Sequence, residues 1–323
     1  MKEEEIRPQA ILDEYIRLSA LDAQEFFNDE QRIETACVAC QSQNIEGQFT
    51  KSGFTYQVCN DCGTLFQGPR PKVEAFEKFY QNSPSSNYWA NTFFPSVAEA
   101  RREKLFRPKA KLISDLVVEK GLDVRDVIDV GAGHAILLEE LQAIQSSWNY
   151  FAIEPGQKLA EVCRKKGFQT LESTAENATQ WHGKADLVIC FEVIEHAHDP
   201  LHFINSLKKL LRPGGHLLIS GLGVDGFDIQ ILWEKSKSVS PPHHINFLSI
   251  EGFNQLFKKA GLQEIQNLTP GVLDVDIVRK QIDSDTHRFF KTLFKRDEKT
   301  LSDFQNFLTE NLLSSHTWVI AKN

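Results

Sequence analysis

The sequence predicts an α/β protein: a doubly wound, mostly parallel sheet preceded by a small metal-ligating module. Three observations predict it. Within residues 127–141 a short apolar run (Val127, Ile128, Val130) breaks at Gly131-Ala132-Gly133, and apolar residues then recur at helical spacing (Leu137, Leu141, Ile144). Strand, glycine turn and helix form the first unit of such a sheet, where ligands sit at the carboxyl ends of the strands. Residues 187–191 are a continuous apolar run, as expected of a parallel strand buried on both faces. Upstream, Cys37-x2-Cys40 and Cys59-x2-Cys62 stand eighteen residues apart, the ligand spacing of a four-cysteine zinc ribbon.

A chain of 323 residues has room for one large domain and a smaller module. The expected division is 1–95 for an amino-terminal helix, the ribbon and an aromatic segment, and 96–323 for the sheet domain. A helical insertion is expected at about 272–312 within the second part. Lys and Arg number 36 against 44 Asp and Glu, a net charge of −8. That balance argues against a nucleic-acid or anionic-membrane partner. The start, MKEEEIRPQ, has no apolar core, and no apolar run reaches the roughly 18 residues of a membrane span. A cytoplasmic location is therefore expected, with the six cysteines serving as thiols or metal ligands rather than disulfides.

Taken in order, the first 35 residues read as an amphipathic helix with Ile11, Tyr15, Leu18 and Leu21 on one face. The ribbon follows. Between Cys40 and Cys59 its only basic residue is Lys51, against Glu46, so phosphate contacts have no source there. A folding staple or a wall of the substrate site is the expected role. Residues 68–71 (GPRP) turn the chain towards residues 83–96, dense in aromatic and small polar side chains. That segment reads either as a packed connector or as a lid with Tyr88 and Trp89 on the substrate. Residues 97–120 read as helix, interrupted at Pro108. Its Arg101, Arg102 and Arg107 are expected in solvent, with one of them able to meet a substrate phosphate.

The second core strand is expected at 148–153, ending in Glu154-Pro155-Gly156. Glu154 lies 21 residues beyond Gly133, where a carboxylate accepts ribose hydroxyls and also suits the start of the helix that follows. A short third strand (168–171) runs into ESTAEN. After the fourth strand, Asp199-Pro200 forms a cap and first-turn pair. The helix it opens is apolar at Phe203, Ile204, Leu207, Leu210 and Leu211. Residues 212–215 (RPGG) stop it before a fifth strand at 216–220. Ser249 caps a helix that Gly261 closes, a sixth strand is expected at 262–268, and the alternating SSHTWVIAKN supplies the last.

Two strings carry a family resemblance. Asp129-x-Gly131-x-Gly133-x-Ala135, with bulky Ile136 in the third glycine slot of a dinucleotide fingerprint, resembles the first motif of class I S-adenosylmethionine-dependent methyltransferases. It departs from the usual form in Ala135 and in the large His134. Glu192-Val193-Ile194-Glu195-His196-x-x-Asp199-Pro200, followed by Leu211-Arg212-Pro213-Gly214-Gly215, resembles the region after their fourth strand. That region is shared by ubiquinone-pathway enzymes and by sugar and surface-glycan methyltransferases. The resemblance spans about residues 100–270 and the last strand. It implies six parallel strands and one antiparallel, and S-adenosylmethionine as cofactor. Asp129, Gly131, Ala132, Gly133, Glu154 and Pro155 would bind that cofactor, with Thr174, Ala175 and Glu176 walling the adenine and Phe191 and Glu192 flanking the methionine part. Glu195 and His196 would lie near the acceptor, unless they only supply helix-start polarity.

His244, Phe247 and Ser249 resemble a feature of the sugar and glycan branch. Relatives that methylate a sugar carbon add a tyrosine and a glutamate, whereas Pro241 and His243 stand in those slots here. Transfer to oxygen or nitrogen is therefore expected, with His244 as the preferred base and His243 second. The alternative for His244 is a histidine that holds its loop by hydrogen bonds. The expectation is a methyltransferase acting on a small molecule, a sugar or nucleotide-sugar of a surface-glycan pathway, with structural zinc at Cys37, Cys40, Cys59 and Cys62. A zinc-ribbon RNA methyltransferase, a quinone- or lipid-precursor methyltransferase and a non-catalytic cofactor-binding protein are the alternatives.

Overall fold

The computed structural model describes residues 1–28, 30–283 and 287–323. Helix α1 (Gln9–Phe27) buries Tyr15, Ser19, Asp22, Ala23 and Phe27. Leu21 of the expected apolar face is instead 48% exposed. The stripe rotates because Asp22 has a partner inside: its carboxylate accepts the Ser85 backbone N–H at 2.9 Å, which offsets the cost of burying it.

The ribbon is a small antiparallel ladder. β1 (Arg32–Ile33) pairs with β5 (Arg70–Pro71), and β2 (Ile45–Lys51), β3 (Phe54–Cys59) and β4 (Leu65–Gln67) lie between them in sequence. Ser52 and Gly53 join β2 to β3 with φ of 47° and 78°, the two-residue turn whose twist matches a hairpin.

α2 (Val73–Asn82), α3 (Pro84–Tyr88), α4 (Phe94–Arg101) and α5 (Arg107–Glu119) then lead to the sheet. The expected break at Pro108 is realised. π-helical turns at Trp89–Phe93 and Arg102–Phe106 flank α4. Pro108 is the second residue of α5, directly after the second π-helical turn, so the helix is interrupted where a ring without an N–H falls.

The core follows: β6 (Asp126–Val130), α6 (Ile136–Ile144), β7 (Asn149–Ile153), α7 (Gln157–Lys165), β8 (Gln169–Leu171), β9 (Ala185–Phe191), α8 (Pro200–Leu210) and β10 (Leu211–Leu222). After it come α9 (Phe227–Leu232), β11 (Asn246–Phe247), α10 (Ile250–Lys259), β12 (Gln263–Leu268), α11 (Asp274–Gln281), α12 (Arg288–Leu293), α13 (Glu298–Glu310) and β13 (His316–Lys322). The seven-stranded sheet is ordered β12-β13-β10-β9-β6-β7-β8. β13 runs antiparallel to both neighbours, and the other pairings are parallel. This is the α/β, Rossmann-like sheet of six parallel strands and one antiparallel that the resemblance implies. Alternation along each strand sends Ile128, Val188 and Val319 into one apolar layer and Val127, Leu187 and Ile320 into the other. The expected caps form: Asp199 accepts the His202 N–H at 3.0 Å, and Ser249 that of Gly252 at 2.8 Å.

The ribbon does not stand alone. β11, from the insertion after the fifth core strand, pairs antiparallel with β4 and completes a ladder of order β11-β4-β3-β2. Cys37, Cys62 and Phe66 share one apolar cluster with Leu248, Phe253 and Phe257. Among the described residues no helix is long and apolar enough to cross a membrane.

Candidate active site

The glycine turn lies at the carboxyl end of β6, between the parallel neighbours β7 and β9. Gly131 and Gly133 have φ of 78° and 53°, and a Cβ on Gly131 would meet Val193 at 2.8 Å. Above Gly133 the nearest atom lies 4.0 Å away, so its backbone is open to a ligand. Ala135 also has a positive φ, 54°, which explains why glycine is commoner in that slot and costs about 1–2 kcal/mol.

Glu154, at the end of β7 and 6% exposed, reaches across this turn. One carboxylate oxygen accepts the Gly133 N–H at 2.8 Å and the other that of Gly156 at 2.9 Å. Burial raises its pKa, and the two N–H bonds oppose the rise. Each oxygen keeps a lone pair for a ribose hydroxyl. Asp129 is buried beneath, and burial pushes its carboxyl up to about 7. Ala132 is half-buried beside it and Pro155 is exposed. Beyond β8, Ala175 is buried while Thr174 and Glu176 are exposed. An adenosyl group therefore fits these residues: an open glycine backbone, a fixed carboxylate and a mixed wall.

Phe191 ends β9, and its ring packs on Trp318 at 4.9 Å. Glu192 follows with φ of 57°. Its carboxylate accepts the Ser220 hydroxyl at 2.6 Å and lies 3.4 Å from His316 Nδ1. Burial would raise the Glu192 pKa, but His316, Lys109 and Ser220 hold it well below the usual carboxylate range.

Near Glu192, whose charge acts on both His196 and His244, lies a histidine cluster. His196 Nδ1 is 2.9 Å from the His243 carbonyl, and His244 Nδ1 is 2.6 Å from that of Ser238. A nitrogen facing a carbonyl must donate, so both neutral rings present Nε2 as a free lone pair. Burial pushes His196 down to about 3. Burial also lowers His244, although the Ser238 carbonyl opposes it. Glu195 is 1% exposed, and one of its carboxylate oxygens has no hydrogen-bond partner among the described residues. Burial and the Glu192 charge raise its pKa well above the usual range. Glu195, His196 and His244 bring one ligand atom each within 4.8 Å of one another, a set able to hold a divalent cation.

His243 is fixed from behind. Its Nε2 lies 2.8 Å from Ser85 Oγ, and the Ser85 hydroxyl itself bonds the Asp22 carboxylate. Serine has one hydrogen to give. It goes to Asp22, so His243 Nε2 donates to Ser85 and Nδ1 holds the lone pair. Asp22, Ser85, Ser220 and His316 were not singled out by sequence reasoning. Asp22 and Ser85 are 63 residues apart, and no spacing rule links a helix to a distant loop.

Trp89 stacks on Phe93 at 4.3 Å and lies 5.1 Å from Tyr15, which is 5.3 Å from His243. The aromatic segment thus reaches the histidine cluster through α1, while Tyr88 packs against the cluster formed by Tyr15, Phe93 and Val97. In the ribbon, Cys37 and Cys62 Sγ are 3.5 Å apart and Cys40 and Cys59 Sγ 3.4 Å, all four within 4.8 Å. Zinc–sulfur bonds of about 2.3 Å make a tetrahedron with edges of about 3.8 Å, so the sulfurs fit that ion closely.

Residues 98–267 match the methyltransferase domain family. The chain belongs to that family. The methyltransferase domain so matched begins within α4 and ends within β12, leaving the ribbon and β13 outside. Ubiquinone biosynthesis O-methyltransferase of Vibrio parahaemolyticus is 36% identical over 115 residues, 33% of this chain and 48% of that protein. The enzyme of the same name from Proteus mirabilis is 33% identical over 107 residues, 31% of this chain and 43% of that protein. The chain thus matches less than half the length of these relatives. Among solved structures, the plantazolicin methyltransferase BamL aligns with a TM-score of 0.51 at 15% identity, over 76% of this chain and 93% of that one. That likeness shows a shared fold.

Proposed function

We propose that this methyltransferase-domain chain transfers a methyl group from S-adenosylmethionine to an oxygen of a small-molecule acceptor. The observation that carries the reading is the Glu154 carboxylate bonded to the Gly133 backbone at the glycine turn; it is supported by His196 and His244, whose Nδ1 atoms are engaged by carbonyls so that Nε2 keeps its lone pair. The cofactor supplies the electrophilic methyl as a sulfonium, so the protein has to align the partners and take a proton. Gly131, Ala132, Gly133, Glu154 and Pro155 hold the adenosyl ribose. Thr174, Ala175 and Glu176 wall the adenine, and Phe191 and Glu192 flank the methionine part. His244 Nε2 takes the acceptor proton. A ring pushed down to about 3, as His196 is, is too weak a base for a hydroxyl at neutral pH.

The named relatives support a quinone-precursor oxygen ahead of a sugar hydroxyl. The sugar reading rests on sequence resemblance around His244, and the relatives add nothing to it. RNA is not favoured: the ammonium of Lys51, the lone basic residue between the cysteine pairs, bonds the Glu234 and Ser236 carbonyls at 2.9 and 2.8 Å. The four cysteines hold structural zinc. The convergence of Glu195, His196 and His244 favours a second reading, in which a divalent cation there assists deprotonation. Activity lost to a chelator and restored by magnesium or manganese would select it.

The test has two steps. Calorimetry with S-adenosylhomocysteine should give micromolar affinity, lowered about 100-fold by Glu154→Ala, which removes hydrogen bonds to a charged acceptor. Tritium transfer is then measured to dihydroxybenzoate and to nucleotide sugars. Labelling confined to the sugars would overturn the acceptor assignment, and no cofactor binding would overturn the enzyme.

A further inference from the structure

Arg17, Arg102, Arg107, Arg164, Arg212 and Arg279 of this acidic chain each pair with a carboxylate. Among the described residues, Arg101 and Lys109 form no ion pair. Arg101 is half-buried, and its Nε and Nη1 are buried without a hydrogen-bond partner. Its guanidinium carbon lies 5.8 Å from the centre of the Trp89 ring and 5.3 Å from that of Phe94.

These rings place it. Phe94 stacks on His134, at the tip of the glycine turn, at 4.5 Å and 2°. Trp89 leads through Tyr15 to His243. Arg101 is thus linked by aromatic rings to the tip of the glycine turn on one side and to His243 on the other. The Lys109 ammonium is 4.4 Å from the centre of the Phe191 ring. Glu192, the acid that acts on both cations, is already engaged by Ser220 and His316. Burial pushes Arg101 down to about 9, which leaves it charged at neutral pH. An unpaired buried charge is costly, and a guanidinium fork matches a carboxylate or phosphate.

We infer that Arg101, flanked by Lys109, recognises an anionic group on the methyl acceptor, a carboxylate or a phosphate, while the acceptor hydroxyl faces His244. The inference rests on the methyl-transfer reading. The same guanidinium chemistry would serve the carboxylate of the cofactor's methionine part, so the experiment separates the two sources. S-adenosylhomocysteine is first titrated into wild type, Arg101→Gln and Arg101→Lys. Inorganic pyrophosphate is then titrated into each protein saturated with S-adenosylhomocysteine, so that the added anion reads only a position the cofactor leaves free.

The expected result is pyrophosphate binding to the saturated wild type, weakened at least tenfold in Arg101→Gln and less in Arg101→Lys. S-Adenosylhomocysteine affinity should stay within about twofold, with unchanged melting temperatures. Equal pyrophosphate affinity in all three proteins would overturn the inference. So would a loss that falls on S-adenosylhomocysteine and disappears with 5′-methylthioadenosine, which lacks the carboxylate. Failure of the wild type to bind S-adenosylhomocysteine strikes the methyl-transfer reading itself.

Discussion

Burial shifts His244 and Asp129 in opposite directions, each towards its neutral form. His244 is neutral, with Nδ1–H donated to Ser238, so its other nitrogen is ready for a proton. His244→Ala is expected to lower single-turnover methyl transfer about 10²–10⁴-fold, the usual worth of a positioned base, with S-adenosylhomocysteine affinity intact. Turnover at the wild-type rate would remove His244 from the mechanism. Asp129 is a buried acid whose folded pKa, about 7, lies above its ordinary value of 3.8. The folded state holds that proton more tightly than the unfolded chain. Its penalty is therefore absent below about pH 4, grows as pH rises and is complete above about pH 7. The limit is about 4 kcal/mol. Asp129→Asn, which cannot ionise, should gain melting temperature over wild type across that window and then hold a constant lead. A difference independent of pH would contradict the assignment.

Among the elements, the ribbon does more than gather four cysteines. The Tyr56 hydroxyl on β3 donates to the His244 carbonyl at 2.6 Å. Arg70, on β5 and 2% exposed, donates to the carbonyls of Gln67 at 2.9 Å and His198 at 2.5 Å. Asn246 on β11 donates to the Ile194 and Ala197 carbonyls at 2.9 and 2.8 Å. The segments bearing His196 and His244 are thus tied to one another and to the ribbon. The cofactor cradle hangs instead on β6 and β7. Stripping the metal with a thiol-directed chelator, or Cys59→Ser, should therefore lower methyl transfer more than cofactor affinity. Misplaced reacting groups lose up to about 100-fold. Mass spectrometry of bound zinc alongside both measurements checks this, and a zinc-free protein with full turnover would refute it.

For the whole molecule, residues 1–95 and 96–323 share an apolar cluster through Cys37, Cys62, Phe66 and Phe253 and a ladder through β4 and β11. Elements that share a core unfold together. The expected calorimetric trace is one transition, with residues 96–323 alone aggregating because the face under the ribbon is uncovered. Two separated transitions would show that the ribbon folds by itself.

Much of this architecture was legible in the chain because its causes are local. Parallel strands buried on both faces must be apolar throughout, as residues 187–191 are. A turn of positive φ selects Gly131 and Gly133. Caps use the side chains next to them, so Asp199 and Ser249 could be read directly. The four cysteines announce one another by spacing. Where the cause was distant, reading failed. Leu21 turned outward because Asp22 found Ser85.

The sequence by itself determined the sheet, the glycine turn and the four-sulfur cluster, since periodicity, steric limits on φ and ligand spacing act within a few residues. Only the tertiary structure decided which histidine nitrogens are free, what closes the ribbon ladder and why Arg101 forms no ion pair among the described residues. Each of these depends on which distant groups burial brings within hydrogen-bonding reach.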